Sequence, residues 1–145
     1  MKAKQYQEFE IVPQDEHTHL RVRGSTVQDL FRNTLAGMAA FLSPDAAKSP
    51  TQGRKITQEI MVRAVDISSL LVEFISRVLA EQEARGAVFT QSAFRTFGDN
   101  FLDADITGIR VEEPAAEIRA VSYADVDIKK NPDTGMFETT LVFET

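Results

Sequence analysis

The sequence predicts an α+β domain of two layers, in which two amphipathic helices pack on one face of a mostly antiparallel sheet. Three observations carry that prediction. Two stretches space their apolar residues three and four apart, as a helix with one buried face does. The segments around them alternate apolar and polar residues, the period of a half-buried strand. The resulting order, β-β-α-β-α-β-β-β-β, lacks the strict alternation of a doubly wound fold, and two helices stacked on one sheet face bury both stripes.

From the amino end, Tyr6 to Ile11 reads as a short strand with Phe9 and Ile11 on one face, broken by Pro13. The polar stretch Gln14, Asp15, Glu16, His17 follows. Leu20 and Val22 alternate with Arg21 and Arg23 in a strand that Gly24 ends. Ser25-Thr26-Val27-Gln28 has the form of a capping box, with Ser25 expected to accept from the first-turn amides. Behind it Val27, Leu30, Phe31, Thr34, Leu35, Met38 and Phe41 form a helical stripe, and Pro44 sets a stop beyond it. Ser43 to Gly53 is read as the one long loop. Ile56 to Ala64 alternates as a long strand, and Asp66 is placed to cap the second helix.

That helix buries Ile67, Leu70, Leu71, Phe74, Ile75, Val78 and Leu79, while Glu73, Arg77, Glu81 and Arg85 face water at pairing distance along its surface. Gly86 is positioned to end it in a left-handed conformation. Beyond it the chain reads as all strand. Val88 to Phe97 and Phe101 to Ile106 flank the hairpin signal Gly98-Asp99-Asn100, and Ile118 to Ile128 and Met136 to Phe143 flank Asn131 to Gly135.

Composition excludes whole classes of function. The 145 residues suit one domain, residues 1–145, and no linker or repeat divides them. Lys plus Arg total 16 against 22 for Asp plus Glu, a net charge of -6, so no bulk basic field is present to grip a phosphate backbone. Strong direct nucleic-acid binding is not expected. No cysteine occurs, which removes disulfides, thiol nucleophiles and thiolate metal sites. No apolar run approaches the roughly 20 residues of a membrane span, and Met1 to Phe9 does not resemble a signal peptide. The expectation is a soluble cytoplasmic protein.

No nucleophile elbow, phosphate loop, dinucleotide fingerprint or zinc-protease motif is present. His17 and His19, the only histidines, alternate beside Asp15 and could share a transition metal if they converge. Arg21 and Arg23 continue their face, however, which reads as a solvated strand surface. A metalloenzyme built on Asp15, His17 and His19 is therefore ranked last. Asp103 with Asp105, and Asp125 with Asp127, are likewise read as solvated carboxylates rather than an acid–base pair.

Several segments together resemble the archease family, in order and nearly end to end. They are Phe9 to Gly24 around His17, the capped helix opening Thr26 to Phe31, Asp66 to Phe74, Glu117 to Asp125, and the hydrophobic run Leu141 to Thr145. The sharpest is Glu117-Ile118-Arg119-Ala120-Val121-Ser122-Tyr123-Ala124-Asp125, close to the family's Glu-Ile-Lys-Ala-Val-Thr-Tyr-His-Asp.

The resemblance implies an accessory protein rather than an enzyme. Archeases help an RtcB-type RNA ligase of tRNA splicing and RNA repair through guanylylation and turnover, and some are linked to a tRNA methyltransferase. The family's functional cluster joins two acids, a lysine and the C-terminal residue, and can hold a calcium-like ion. Carried onto this chain, it implies a metal set of His17, Glu144 and Thr145, with Asp15 as a further candidate, and partner contact through Arg119 and Asp125. The chain departs from the family at those points: His17 replaces an acid, Arg119 the lysine and Glu144 the second acid. An imidazole nitrogen suits a hard cation poorly, so weak calcium binding and a relative preference for a transition metal are expected. The second reading is an archease-like interaction or chaperone module for another RNA-modifying enzyme, with the activator and metal site lost.

Overall fold

Helix and strand residues alternate along the chain as their apolar periods dictate, and their buried sides meet in one core. The computed structural model describes residues 8–14, 16–124 and 126–145. The start of the first expected strand, Asp15 and Asp125 lie outside them. The elements are β1 Phe9–Gln14, β2 His17–Gly24, α1 Val27–Leu42, α2 Pro44–Lys48, β3 Lys55–Arg63, α3 Ile67–Arg85, β4 Ala87–Phe97, β5 Phe101–Arg110, β6 Ala120–Val121, β7 Lys129–Lys130 and β8 Phe137–Glu144.

The class is α+β and every strand pairing is antiparallel. The strands divide between two sheets, however, rather than forming one. The first has the order β1-β2-β8-β6, with β7 also on β8, and the second the order β3-β5-β4. β5 is saturated on both sides by β3 and β4, which closes the second sheet as a unit. Helix α1 packs on β1, β2 and β8 and also on β4, while α3 packs on β3, β4, β5 and β6, so the helices tie the sheets together.

Three local expectations are corrected. The N-cap of α1 is Thr26, not Ser25: its hydroxyl accepts from Asp29 N at 3.0 Å in an extended conformation. Ser25 instead donates to the Asp29 carboxylate at 2.8 Å. Both frames carry a hydroxyl followed by a polar residue three on, and the apolar stripe does not distinguish a shift of one. Part of the expected loop is helical, because Pro44 sits at the start of α2 and Ser43 caps it at Ala46 N, 3.3 Å away. The expected strand Ile118 to Ile128 survives only as β6. After Ser122, whose N donates to Val142 O at 2.9 Å, the chain leaves β8, and hydroxyls of Thr139 and Ser68 take the amides of Asp127 and Ile128. Replacing Thr26 by Ala should cost about 1 kcal/mol in urea denaturation, and Ser25 by Ala only a few tenths.

Asp66 caps α3 by accepting from Ser69 N at 2.7 Å, and Gly86 ends it at φ 61°. The expected stripe holds for Leu70, Leu71, Phe74, Ile75 and Val78, with Val72 and Gln82 added and Ile67 and Leu79 only half-buried. Gly108 is required where β5 crosses β4: a Cβ there would sit 2.0 Å from Val88 O. On the first sheet Glu138 holds β8 to its neighbours, accepting from Asn131 at 2.7 Å and Arg23 at 3.0 Å. The Asn131 amide first, and then Arg23, hold its carboxyl below the usual carboxylate value. This contact stabilises the fold above the ordinary value and is lost as pH falls through the lowered one.

Candidate functional site

The first sheet brings three distant pieces of chain to one rim. In the antiparallel register His17 of β2 lies opposite Glu144 of β8, and Ala120 of β6 lies opposite Glu144 on its other side. Register pairs share a face of the sheet, so the imidazole and the carboxylate project on the same side. Arg119 is held against this end by its own amide, which donates to Glu144 O at 2.8 Å. Thr145 continues the ladder: its amide and its hydroxyl both donate to Glu16 O, each at 3.1 Å.

Glu16, His17, Arg119, Glu144 and Thr145 line an open depression of about 360 Å³. All but Thr145 are exposed. Among the described residues neither Arg119 nor Glu144 forms a salt bridge. The rim therefore presents a guanidinium, two carboxylates and an imidazole to solvent around one depression. A guanidinium so presented can take a phosphate or carboxylate bidentately. Of the site residues expected from sequence, His17, Arg119, Glu144 and Thr145 are together; Asp15 and Asp125 fall outside the described residues.

The donors suit calcium poorly. Calcium wants six to eight oxygens, whereas the described side chains of this rim offer two carboxylates, Glu16 and Glu144, an imidazole, and a threonine hydroxyl that donates to Glu16 O. Among the described residues no three His, Asp or Glu side chains are grouped to hold a metal ion. His19 lies two residues further along β2, opposite Val142 and half-buried.

Asp103 and Asp105 are not free solvated carboxylates. Arg95 of β4 bonds both of them, and Glu59 of β3 lies 3.3 Å from the same guanidinium. Those hydrogen bonds push the Arg95 guanidinium above its ordinary value. Asp127 pairs with Lys129 at 3.3 Å. Glu73 does not pair along its helix; its carboxylate accepts from the exposed Tyr123 hydroxyl, which ties the segment after β6 to α3.

A profile of the Archease protein family (MTH1598/TM1083) matches residues 6–144. A Protein archease of Thermococcus gammatolerans is 25% identical over 130 residues, 81% of this chain and 87% of the relative. The solution structure of Methanobacterium thermoautotrophicum protein 1598 superposes with a TM-score of 0.72 at 16% identity, covering 95% of this chain and 99% of that one. The crystal structure of a Thermotoga maritima archease, described as a possible chaperone, gives a TM-score of 0.60 at 13% identity, with 100% and 98% covered.

Proposed function

Because the chain belongs to the archease family, we propose that it is an accessory protein, not an enzyme, that activates an RtcB-type RNA ligase in tRNA splicing or RNA repair. In this reading it works in the cytoplasm and promotes guanylylation and turnover of the ligase. No helix among the described residues is long and apolar enough to cross a membrane. The supporting observation is the rim itself: Arg119, Glu144 and His17 converge on one open depression although they lie far apart in sequence.

Arg119 is suited to the partner's nucleotide phosphates or to an acidic side chain, and Glu144 to a basic one or to a metal ion the ligase already holds. The test is the rate of ligase guanylylation with and without stoichiometric protein. An unchanged rate removes the proposal.

No step is routed through calcium, since the described donors do not fit it. With an imidazole beside its carboxylates, the rim favours a weakly held transition metal over calcium in this reading. Millimolar calcium should then leave the melting temperature within about 1 °C of its metal-free value, because an ion well below its dissociation constant adds almost no stability. A calcium-dependent rise of several degrees in a thermal scan would show that other oxygens complete the site.

The second reading is an interaction or chaperone module for another RNA-modifying enzyme, such as a tRNA methyltransferase. What favours it is the replacement of the family's acids and lysine by His17, Glu144 and Arg119. Suppression of methyltransferase aggregation without any effect on the ligase would select it.

A further inference from the structure

The chain is acidic overall, yet one depression of about 460 Å³ is lined by Arg54, Lys55, Arg85 and Arg110 with no acid among its lining residues. Three elements assemble it. Arg54 and Lys55 enter β3, Arg110 leaves β5, and Arg85 closes α3. Arg110 N donates to Arg54 O at 2.9 Å, and Lys55 lies opposite Ile109, so the strand register fixes the cluster. All four side chains are exposed. Among the described residues Arg54, Lys55 and Arg110 form no salt bridge, and only Arg85 is partnered, by Glu81 at 3.0 Å.

Three of the four charges thus lack an ion-pair partner among the described residues; like charges so gathered repel one another, and the arrangement gains energy when an anion with several charges spans them. No aromatic side chain lines the depression, so it offers no aromatic platform on which successive bases could stack. We infer that this depression binds the phosphate backbone of a single-stranded nucleic acid, without reading its sequence. The binding is weak and salt-sensitive, because the remaining surface is net negative and opposes it. The connection from Arg110 to Arg119 spans no more than about 30 Å even fully extended. A strand of several nucleotides held here therefore reaches the neighbourhood of the rim.

The test is anisotropy of a labelled oligouridylate of about 20 nucleotides titrated with the whole protein at about 50 mM salt. Oligothymidylate of equal length forms a second arm, and inorganic triphosphate and oligoglutamate serve as competitors. Binding of either strand supports the site, and the tighter arm names the source. The affinity should fall with salt with a logarithmic slope of about -2 to -3, as for three or four neutralised phosphates. The double change Arg54→Ala with Arg110→Ala should weaken binding by roughly tenfold and flatten that slope by about 1.4. Arg21→Ala, exposed on the other sheet, should leave affinity within about twofold.

Absence of binding at low salt, an unaffected double variant, or equal loss in Arg21→Ala would overturn the site. Displacement of RNA by oligoglutamate as effective as by unlabelled RNA would assign the cluster to an acidic polypeptide and overturn it too. Guanylylation measured without RNA reads the rim alone, so failure of this site and failure of the ligase proposal are distinguishable.

Discussion

Removing either charge at the rim should abolish stimulation of ligase guanylylation while leaving the fold intact. Truncating one member of a desolvated interfacial charge pair typically costs about 2–5 kcal/mol, and each 1.4 kcal/mol is about tenfold in affinity. Glu144→Ala and Arg119→Ala should therefore each lower the apparent affinity for the ligase by roughly 30-fold or more. Neither change should unfold the domain. The structural duties of both residues belong to the backbone, through Arg119 N to Glu144 O and the ladder to His17, and alanine keeps them. Exposed side chains of this kind usually alter stability by no more than about 0.5 kcal/mol. The measurement is the amount of nucleotide–ligase adduct formed against protein concentration, with a melting curve for each variant. Arg119→Lys should recover part of the effect, since it keeps the charge but loses the bidentate fork. A Glu144→Ala protein that stimulates as well as the parent would separate the rim from the function.

Much of the fold is legible because short-range physics decides it. The stripes Leu30 to Met38 and Leu70 to Val78 are read correctly from spacing alone, as are the Asp66 cap and the Gly86 terminator, since each depends on residues within one or two turns. What the sequence conceals depends on distant partners. The alternation from Ile118 to Ile128 suits a strand, yet β8 pairs only with Ala120 and Val121 of it, and the amides of Asp127 and Ile128 go to the side-chain hydroxyls of Thr139, on β8, and Ser68, on α3, instead of to strand carbonyls. Division of the strands between two sheets is concealed for the same reason. Alternation shows which face is buried but not which neighbour supplies the hydrogen bonds.

The candidate site divides along the same line. Spacing and chemistry alone show no functional set at His17, Arg119 or Glu144; resemblance to a family is what brings them together, and register is what makes them neighbours. The cluster of Arg54, Lys55, Arg85 and Arg110 had no local signal either: Arg54 and Lys55 meet Arg110 through the pairing of β3 with β5, and Arg85 joins them from the end of α3. Arg95 is a third instance. Asp103 and Asp105 look like solvated strand acids until the cross-strand guanidinium is placed between them.

The largest expected loss of stability follows Phe31→Ala. Phe31 is fully buried, and its ring centroid lies 5.7 Å from Phe74, 4.9 Å from Phe97 and 6.4 Å from Phe94. One side chain thus couples α1 to α3 and to β4, among the contacts that join the helices to the second sheet. Truncating a buried phenylalanine costs about 3–5 kcal/mol in lost transfer energy and unfilled cavity. The aromatic pairs lost with it place this site toward the upper end. For a chain of this length the melting temperature should fall by roughly 10 °C or more. Phe41 provides the comparison: it is half-buried and, among the described residues, its one aromatic partner is the Phe143 ring, at 6.3 Å, so Phe41→Ala should cost markedly less. Chemical denaturation of the two variants side by side decides the matter. Equal losses would mean that the ring cluster around Phe31 is no more central than the periphery, contradicting a core that runs from α1 through α3 to β4.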